Sequence, residues 1–539
     1  MTIPPQQVPV PDLINTGALS EIIVDRFSSK VTVDGEGIAL SIDLEHSEKL
    51  ADICQLLFGE LDFTFGGLTV EQHPVEWHLR YLFLAPRSGW IQVVLRQPLD
   101  VTTISSVSAV IHAADWHERE AEDLFGLHFK DHPRLGDFIL HDQVWQEGVA
   151  PMRKSFDPHQ PHMERRPNLE WKPLLVVMDT GAFAMPVGPV YEGGIGEPIH
   201  FMLETVGEDV IRAVPRLFYN YRAVEKIAEG KAIPDALLLA ERFAAKSAFA
   251  HSLAYCQAVE SILRIQSPPR ARRLRVLLCE LERLRHHAGT IAAICSSTAL
   301  AVPAAHASII EEQLLRASCQ FSGHRYLFGL NTPGGLLRDF DTFALQALRA
   351  SVDDAAQQLR VLEKRLQFSS SFLDRLEEVG IVDPANAQSL SLTGPVGRAS
   401  ARQYDLRRDC PYADYEHYDF AVPYESEGDG YARLRVFFAE AYQSARLVQQ
   451  AIELLEEGPV LHPISEWRAG AALGWAESPI GATMHWVRLD ESGKIERYRI
   501  MTPSFTNWLG LHVAVEDFAF QDFPIILATF GLSATECDR

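Results

Sequence analysis

Residues that could carry protons or hold a metal gather in two stretches of this chain. Residues 280–287 read Glu-Leu-Glu-Arg-Leu-Arg-His-His, and residues 221–255 hold further acids, arginines and a histidine. Charged groups are costly to bury unless they are paired, so two interpretations stay open: an ion-pair network between helices, or a relay for protons or conformational change. His286 and His287 make a poor metal pair, because adjacent residues on a helix point about 100° apart.

The seven cysteines are the other groups that could bind a metal, and their spacing argues against a cluster. They are Cys54, Cys256, Cys279, Cys295, Cys319, Cys410 and Cys537. No two have the C-x-x-C spacing, and the count is odd. We expect isolated thiols that pack as small apolar residues, and no iron–sulfur cluster within this chain.

The composition of the 539-residue chain is that of a globular protein with two or more domains, since 47% of its residues are hydrophobic and 22% are charged. The formal net charge of −23 argues against nucleic-acid binding and against direct attachment to anionic lipid. No apolar stretch reaches the roughly 20 residues of a membrane span, and the N-terminus has no secretory signal. We therefore expect a cytoplasmic protein that reaches any membrane through partner subunits.

The elements that would position the charged residues fall into three parts. Residues 1–145 predict an α+β domain. Residues 146–172, rich in Pro, His, Arg and Lys, predict an extended linker. Residues 173–539 predict a mainly α domain, a bundle of long helices with β-rich margins.

Periodicity locates individual elements within the two domains. In the first domain, strands are predicted at 30–34, 38–42, 76–83 and 90–95, and a short helix at 117–125. In the second domain, a strand region begins at 201–204, long amphipathic helices are predicted after Arg270 and at 342–368 and 433–456, and a hairpin at 484–500.

Residues 117–135 carry a pattern that resembles a known family. His117-Glu-Arg-Glu is followed by Asp123-Leu-Phe-Gly and then by His132-Pro-Arg-Leu. This order is similar to the signature of the small hydrophilic subunit of respiratory complex I, the 30 kDa type. The resemblance implies a structural segment that docks against a larger neighbour, without catalysis. Opposite charges at i, i+3 and i+4 fit such an interface helix.

Landmarks between residues 188 and 505 resemble complex I 49 kDa-type subunits and nickel–iron hydrogenase large subunits. They are Gly188-Pro189, Tyr221–Lys226, Glu280–His287, Pro333–Gly335, Thr393–Pro395, Gly428–Arg433, Glu477–Gly481 and Pro503–Phe505. A fused pair of this kind resembles the large subunit of formate hydrogenlyase and hydrogenase-4-type complexes. The resemblance implies that family's fold for the second domain.

The resemblance also marks where hydrogenases hold nickel and iron. Residues 241–255 match a motif that has cysteines at the positions of Ala244 and Ser247. A second C-x-x-C near the family's C-terminus aligns with Ser533 and Glu536. Nickel and iron need soft thiolate ligands, which these four residues do not supply.

Two further departures point the same way. The Pro-Arg-Gly in which hydrogenases place an arginine beside the iron reads Pro479-Ile480-Gly481 here. The tail that hydrogenases cleave after nickel insertion has no counterpart after Arg539. We therefore expect no nickel–iron site.

A quinone cavity is the corresponding expectation from complex I. There, a histidine of a Gly-Pro-x-His-Pro loop and a tyrosine hydrogen-bond the quinone head group, and these positions align with Tyr191 and Ala245 here. Tyr191 could still donate a hydrogen bond, and Lys246 could bind an anionic or carbonyl oxygen. Two alternatives remain: a quinone cavity in altered form, or a cavity closed by small residues and no longer used.

The resemblance selects five candidate relay residues. Glu225 matches a glutamate that leads protons from the metal site in hydrogenases. Arg222, Glu282, Arg283 and His287 match charged positions near the same cavity. A structural ion-pair network between helices remains the alternative.

The resemblance leads to three hypotheses for function. The first is a peripheral-arm subunit of a membrane-bound complex, placed between an iron–sulfur small subunit and an antiporter-like membrane module, with quinone as a possible acceptor. The second is a non-catalytic scaffold that keeps only the interfaces. The third, an active nickel–iron hydrogenase, conflicts with the missing ligands. NAD would bind on another subunit, because no Gly-x-Gly-x-x-Gly follows a strand in this chain.

Overall fold

The computed structural model describes residues 16–27, 29–32, 37–141, 145, 146, 148–160, 181–189 and 197–539. Tyr191 of the predicted quinone cavity lies outside these ranges. So do residues 33 and 34 of the first predicted strand and residues 161–172 of the predicted linker.

A five-stranded sheet forms the centre of the N-terminal region. Its strands are β1 (Lys30–Thr32), β2 (Ile38–Leu44), β3 (Thr64–Gln72), β4 (Glu76–Ala85) and β5 (Gly89–Pro98), in the order β1-β2-β5-β4-β3. β2 and β5 are parallel, and the other neighbours are antiparallel. The strands predicted at 38–42, 76–83 and 90–95 are confirmed. β3 is not singled out by the sequence pattern, because Gly66 and Gly67 interrupt it.

Short helices flank this sheet. They are α1 (Thr16–Phe27), α2 (Leu50–Cys54), which continues as a π-helical turn at Gln55–Glu60, and α3 (Ala114–Phe125). β6 (Thr103–Ser105) and β7 (His128–Lys130) pair in parallel beside them. α3 confirms the helix predicted at 117–125. It ends at Gly126, whose φ of +67° suits the left-handed position after a helix.

Three further sheets belong to the second region. The first contains β8 (Ala182–Val187), β9 (His200–Val206), β10 (Asp209–Arg216) and β16 (Phe518–Ala519), all antiparallel in the order β16-β10-β9-β8. The second is the small pair β11 (Asn331–Thr332) and β12 (Gly335–Leu336). The third contains β13 (Gly470–Glu477), β14 (Ala482–Leu489) and β15 (Ile495–Met501). β14 and β15 confirm the hairpin predicted at 484–500.

Helices make up most of the second region. The long ones are α6 (Ala248–Leu263), α7 (Pro269–Ser297), α8 (Ala301–Ser322), α9 (Thr342–Leu366) and α14 (Gly430–Glu453). The shorter ones are α4 (Val224–Ala228), α5 (Ile233–Arg242), α10 (Ser370–Leu373), α11 (Pro384–Ser389), α12 (Gly394–Ala399), α13 (Leu406–Asp409), α15 (Pro503–Ala514), α16 (Phe523–Phe530) and α17 (Ala534–Cys537). α7, α9 and α14 confirm the three predicted long helices. Among the helices of the described residues, none has the length and apolarity to cross a bilayer.

The bundle is built around α7. This helix starts with Pro269, whose fixed φ suits a first helical position, and it packs against α8 and α14. Its leucines are buried, and so are its charged residues from Arg275 onward, so these charges must find partners inside the protein. α6 crosses β13 so closely that a Cβ on Gly474 would lie 2.0 Å from the Ala254 carbonyl oxygen.

The two regions are in extensive contact. Trp90 of β5 lies 6.2 Å from Trp475 of β13, measured between ring centroids. Glu71 of β3 accepts hydrogen bonds from Trp486 Nε1 over 3.1 Å and from Arg488 Nε over 2.7 Å. The N-terminal sheet therefore covers the outer face of the sheet formed by β13, β14 and β15.

Candidate functional site

The positions aligned with the metal-binding cysteines meet at one buried place. Ser247 comes just before α6, and Ser533 and Glu536 lie at α17. Ser247 Oγ donates to Glu536 Oε1 over 2.8 Å, and the Glu536 N–H donates to Ser533 Oγ over 3.2 Å. Ala244 is also buried, and its carbonyl accepts from the Ser247 N–H. The structure thus brings the two aligned ends together, while their correspondence to the family's cysteines stays a prediction.

A buried hydrogen-bonded chain continues inward from Glu536. His251 Nε2 lies 3.0 Å from Glu536 Oε1, and His251 Nδ1 lies 2.9 Å from His485 Nε2. His485 Nδ1 then lies 2.6 Å from the Tyr498 hydroxyl. Four titratable groups are therefore linked in one row, from α17 to β15. Of these, Glu536 and His251 lie in the family motifs, whereas His485 and Tyr498 lie in the predicted hairpin and no motif marks them.

Burial and hydrogen bonding set the charges along this row. Burial opposes ionisation of Glu536, but its bonds with His251, Ser504 and Ser247 outweigh burial and hold its pKa below the usual value. Burial lowers the pKa of His485 well below its usual value. His485 is therefore neutral at neutral pH, with one N–H to donate and one nitrogen to accept.

The residues at this place do not fit nickel and iron. They offer hydroxyls, a carboxylate and a methyl group, where soft thiolates are needed. The Glu536 carboxylate already accepts from Ser247, His251 and the Ser504 N–H. The neighbouring thiol, Cys537, donates to the Ser533 carbonyl over 3.6 Å, and burial raises its pKa well above the usual value. It is therefore a protonated thiol, which is a poor metal ligand.

A cavity of about 710 Å³ lies beside this row, between α7, α16 and the loop before α6. Its polar lining includes Glu197, Lys246, Arg285, His286 and Glu311. Its apolar lining includes Trp508, Phe520, Phe523 and Leu527. Cavities of roughly 300–1,000 Å³ with mixed linings are typical of small-molecule sites. We call this space the large cavity.

Of the three residues predicted to bind quinone, only Lys246 lines the large cavity within the described residues. Lys246 lines the large cavity, and its Nζ donates to the Leu532 carbonyl over 3.1 Å and lies 3.7 Å from Glu197 Oε1. The Lys246 side chain keeps 44% exposure, so its ammonium can reach a ligand. Ala245 is not part of the lining. Tyr191 lies outside the described residues.

Arg283 and His287, two of the candidate relay residues, face a buried ion-pair network. Glu440 of α14 lies 3.0 Å from His287 Nε2 and 3.7 Å from Arg283 Nη1. Arg398 donates to Glu440 over 2.7 Å and to Glu477 over 2.9 Å. These five side chains are all fully inaccessible. Each charge has a partner within the bundle, as the ion-pair interpretation requires.

Two other relay candidates, Glu282 and Arg222, make separate contacts. Glu282 accepts from the N–H groups of residues 249 and 250 over 2.7 Å and 3.1 Å, and so caps the start of α6. Arg222 donates to the carbonyls of Asp538 and Thr535 over 3.0 Å and 2.6 Å. Among the five relay candidates, and within the described residues, only Arg283 and His287 share a partner, which is Glu440.

Glu225 belongs to a buried cluster that joins the two regions. Its Oε1 accepts from the Ile500 N–H over 2.9 Å and from Arg499 Nη1 over 3.2 Å, and lies 3.3 Å from Arg539 Nε. Glu120 of α3 pairs with the same two arginines. We call Glu120, Glu225, Arg499 and Arg539 the domain cluster. It confirms that α3 is an interface helix.

Two known family profiles match this chain. The profile described as respiratory-chain NADH dehydrogenase, 49 Kd subunit, matches residues 303–468 and 464–539. The profile described as respiratory-chain NADH dehydrogenase, 30 Kd subunit, matches residues 45–162. The two matches fall on the two structural regions in the order predicted from the sequence.

Known relatives are similar over most of the chain. Formate hydrogenlyase subunit 5 of Escherichia coli (strain K12) is 29% identical over 501 residues, covering 91% of this chain and 87% of the relative. Hydrogenase-4 component G of the same organism is also 29% identical over 501 residues, covering 91% and 86%. The C/D subunit of NADH-quinone oxidoreductase from Acinetobacter baylyi is 26% identical over 517 residues, covering 88% and 86%.

Proposed function

This chain is a fusion of a 30 kDa-type domain and a 49 kDa-type domain of respiratory complex I, and we propose that it serves as a peripheral-arm subunit of a membrane-bound, complex I-like or hydrogenase-4-like oxidoreductase. Its relatives are subunits of formate hydrogenlyase, hydrogenase-4 and NADH-quinone oxidoreductase. In such a complex, electrons would arrive from an iron–sulfur subunit, and antiporter-like membrane subunits would use the energy released. NAD would be bound on another subunit.

The large cavity is the observation that carries the redox part of this proposal. A quinone has two carbonyl oxygens on a flat ring and an apolar tail. Lys246 supplies an ammonium donor, and the aromatic residues Trp508, Phe520 and Phe523 supply an apolar wall. A cationic donor stabilises the negative charge that develops on a quinone oxygen during reduction. The large cavity thus offers the chemistry that a quinone-like acceptor requires.

Enzyme assays on the purified complex test this role. Lys246→Met keeps the length of the side chain and removes its charge. Loss of one charge-assisted hydrogen bond should raise KM for ubiquinone-1 by about tenfold. Lys364→Met, on the exposed face of α9, is the matched control and should leave KM unchanged. A variant complex with unaltered quinone kinetics would remove Lys246 from the proposal.

A non-catalytic scaffold is the second candidate function, favoured by the buried ion pairs around Glu440. Ala293→Trp, which places an indole at the wall of the large cavity, separates the two functions. A scaffold tolerates the filled cavity, so the complex should assemble and keep its activity. A quinone site does not, so the complex should assemble and lose quinone reduction. Native gels report assembly independently of turnover.

The full chain also tests membership of a complex. We expect co-purification with an iron–sulfur small subunit and with integral membrane subunits. A stable monomer that captures neither would contradict both the redox and the scaffold proposals. Stoichiometric nickel in the purified chain would instead revive the hydrogenase hypothesis.

A further inference from the structure

A second cavity, of about 480 Å³, lies where the two domains meet. One wall comes from α3 and the loop after β7, and includes Arg119 and Phe138. The opposite wall comes from β9, β10 and α15, and includes Arg216 and Trp508. We call this space the interdomain cavity. Of its lining, only Trp508 also borders the large cavity.

Three buried N–H donors in this lining have no acceptor. They are Nε of Arg119, Nε of Arg216 and the indole Nε1 of Trp508, and Trp508 is 1% exposed. Among the described lining residues, no buried side-chain acceptor lacks a donor. An unsatisfied buried polar group costs about 1–3 kcal/mol. These three nitrogens are themselves covered, so a ligand would meet the other atoms of Arg119 and Arg216, which line the cavity. A guanidinium group can only donate hydrogen bonds, which favours a ligand that brings acceptor oxygens.

The charge balance favours an acidic ligand over a neutral one. Arg119 Nη2 reaches only the backbone carbonyls of Gly136 and Asp137, at 3.3 Å and 3.4 Å, and burial lowers the pKa of Arg119. Burial, and then the charge of Arg216, also lower the pKa of His200. The other lining arginines each have an acidic partner: Arg216 has Asp137 at 2.8 Å, Arg212 has Glu204 at 2.8 Å and Arg134 has Asp115 at 3.3 Å. Among the described lining residues, Arg119 is therefore the arginine without an ion pair, and a partly enclosed space strengthens its attraction for an anion.

Aromatic rings make up much of the remaining lining. The rings of Trp116 and Phe138 lie 5.3 Å apart, and those of Phe138 and Phe218 lie 5.0 Å apart, measured between centroids. Arg119 stacks on Phe138 at 4.4 Å. A flat apolar body packs well against such a surface. The ligand should therefore combine an acidic group with an aromatic or similarly flat body.

We propose that the interdomain cavity binds a small organic anion, a carboxylate or phosphate ester on an aromatic body, whose oxygens accept hydrogen bonds from Arg119 and Arg216. Arg119 is on α3 of the N-terminal domain, and Arg216 ends β10 of the C-terminal domain. One bound anion therefore touches both domains and holds them together. This site is independent of the quinone proposal.

Calorimetric titration of the full chain with defined probes tests the site. The probes are 2-naphthoate, 1-naphthyl phosphate, inorganic phosphate and the neutral 2-naphthalenemethanol. We expect both naphthyl anions to bind and to raise Tm, because binding to the folded state alone stabilises it. Inorganic phosphate lacks the aromatic body, and the neutral alcohol lacks the charge, so each should bind at least about tenfold more weakly than the naphthyl anions.

Three variants locate the binding. Arg119→Gln and Arg216→Gln should each lower the affinity for 2-naphthoate by about tenfold or more, which is the loss expected when a charged donor is removed. Val214→Phe fills the cavity without changing a charge and should abolish binding. Arg316→Gln, whose side chain is 71% exposed on α8, is the control and should bind as the wild type does.

The outcomes separate the parts of the proposal. Equal affinity for the neutral alcohol would overturn the role of the arginines. Equal affinity for inorganic phosphate would overturn the aromatic body. Wild-type affinity in Val214→Phe, a variant that keeps every charged group, would place the binding elsewhere and overturn the site. Absence of binding by every probe would also overturn it.

Discussion

At the scale of single residues, Ser247 and Glu536 make the contact that decides the chemistry of the site. They are 289 positions apart in the chain, yet their side chains are hydrogen-bonded in a fully buried place. The Ser247 hydroxyl donates to the Glu536 carboxylate, and the row continues from Glu536 through His251 to His485. Hydroxyl, carboxylate and imidazole groups do not supply the soft thiolates that nickel and iron need.

The residue-scale prediction introduces cysteines at the four aligned positions. If the four aligned positions surround one site, the combination Ala244→Cys, Ser247→Cys, Ser533→Cys and Glu536→Cys should bind one equivalent of Co²⁺ with thiolate-to-metal absorption bands. The variant that keeps Glu536 and carries the other three cysteines is the control and should bind more weakly. The wild type should show no such bands. A reduced, folded four-cysteine variant without Co²⁺ bands would show that the alignment of the two ends is wrong.

At the scale of elements, the sequence predicts those helices whose apolar residues follow one face. α7, α9 and α14 appear at the predicted places, because leucines at helical spacing mark them. α6 shows no such stripe, because nearly all its side chains are buried. In the sequence, only the family motif at residues 241–255 marks this segment. Arg497 and Arg499 alternate with apolar residues in β15, which is typical of a solvent-facing edge. The N-terminal domain covers that face, and the residues of β15 alone do not predict that another domain buries them.

Glu282 carries the element-scale prediction, because it caps α6 from the neighbouring helix α7. Burial raises its pKa from about 4.5 to about 7, against the opposing effects of Arg285 and the two N–H donors. The folded protein therefore holds this proton more tightly than the unfolded chain does. The contribution of Glu282 to stability must then fall as pH rises from about 4.5 through about 7.

Glu282→Gln should remove this pH dependence, because its amide stays neutral and can still accept from the α6 backbone. The Tm of the variant should rise relative to that of the wild type between pH 5 and pH 8, by an equivalent of at most about 3 kcal/mol. Glu466→Gln changes an exposed carboxylate, and its Tm should change with pH as that of the wild type does. A difference in Tm between Glu282→Gln and the wild type that stays constant over this pH range would contradict the assigned protonation.

At the scale of the whole molecule, the domain cluster is one of the polar contacts between the N-terminal domain and the C-terminal domain, beside that of Glu71 with Arg488. The fusion and its order follow from the sequence motifs, and so does the use of α3 as an interface. The partners of Glu120 do not, because Arg539 is 419 positions away. Burial opposes ionisation of Glu120, but Arg499 and Arg539 outweigh it and hold its pKa below the usual value. Its contribution is therefore present at neutral pH and lost as the pH falls.

The whole-molecule prediction is that Glu120→Gln loosens the two domains without unfolding either. The change leaves Arg499 and Arg539 with Glu225 as their remaining acidic partner, and breaking a buried pair in this way costs about 3–5 kcal/mol. Tryptic cleavage between the domains, followed by mass spectrometry, should become faster, and Tm should fall. Glu60→Gln breaks the solvent-exposed pair with Arg26, whose two side chains are 45% and 50% exposed, and should leave both the cleavage rate and Tm unchanged. Equal cleavage rates in Glu120→Gln and the wild type would mean that other contacts, such as Trp90 with Trp475 and Glu71 with Arg488, hold the domains together, with the domain cluster contributing only locally.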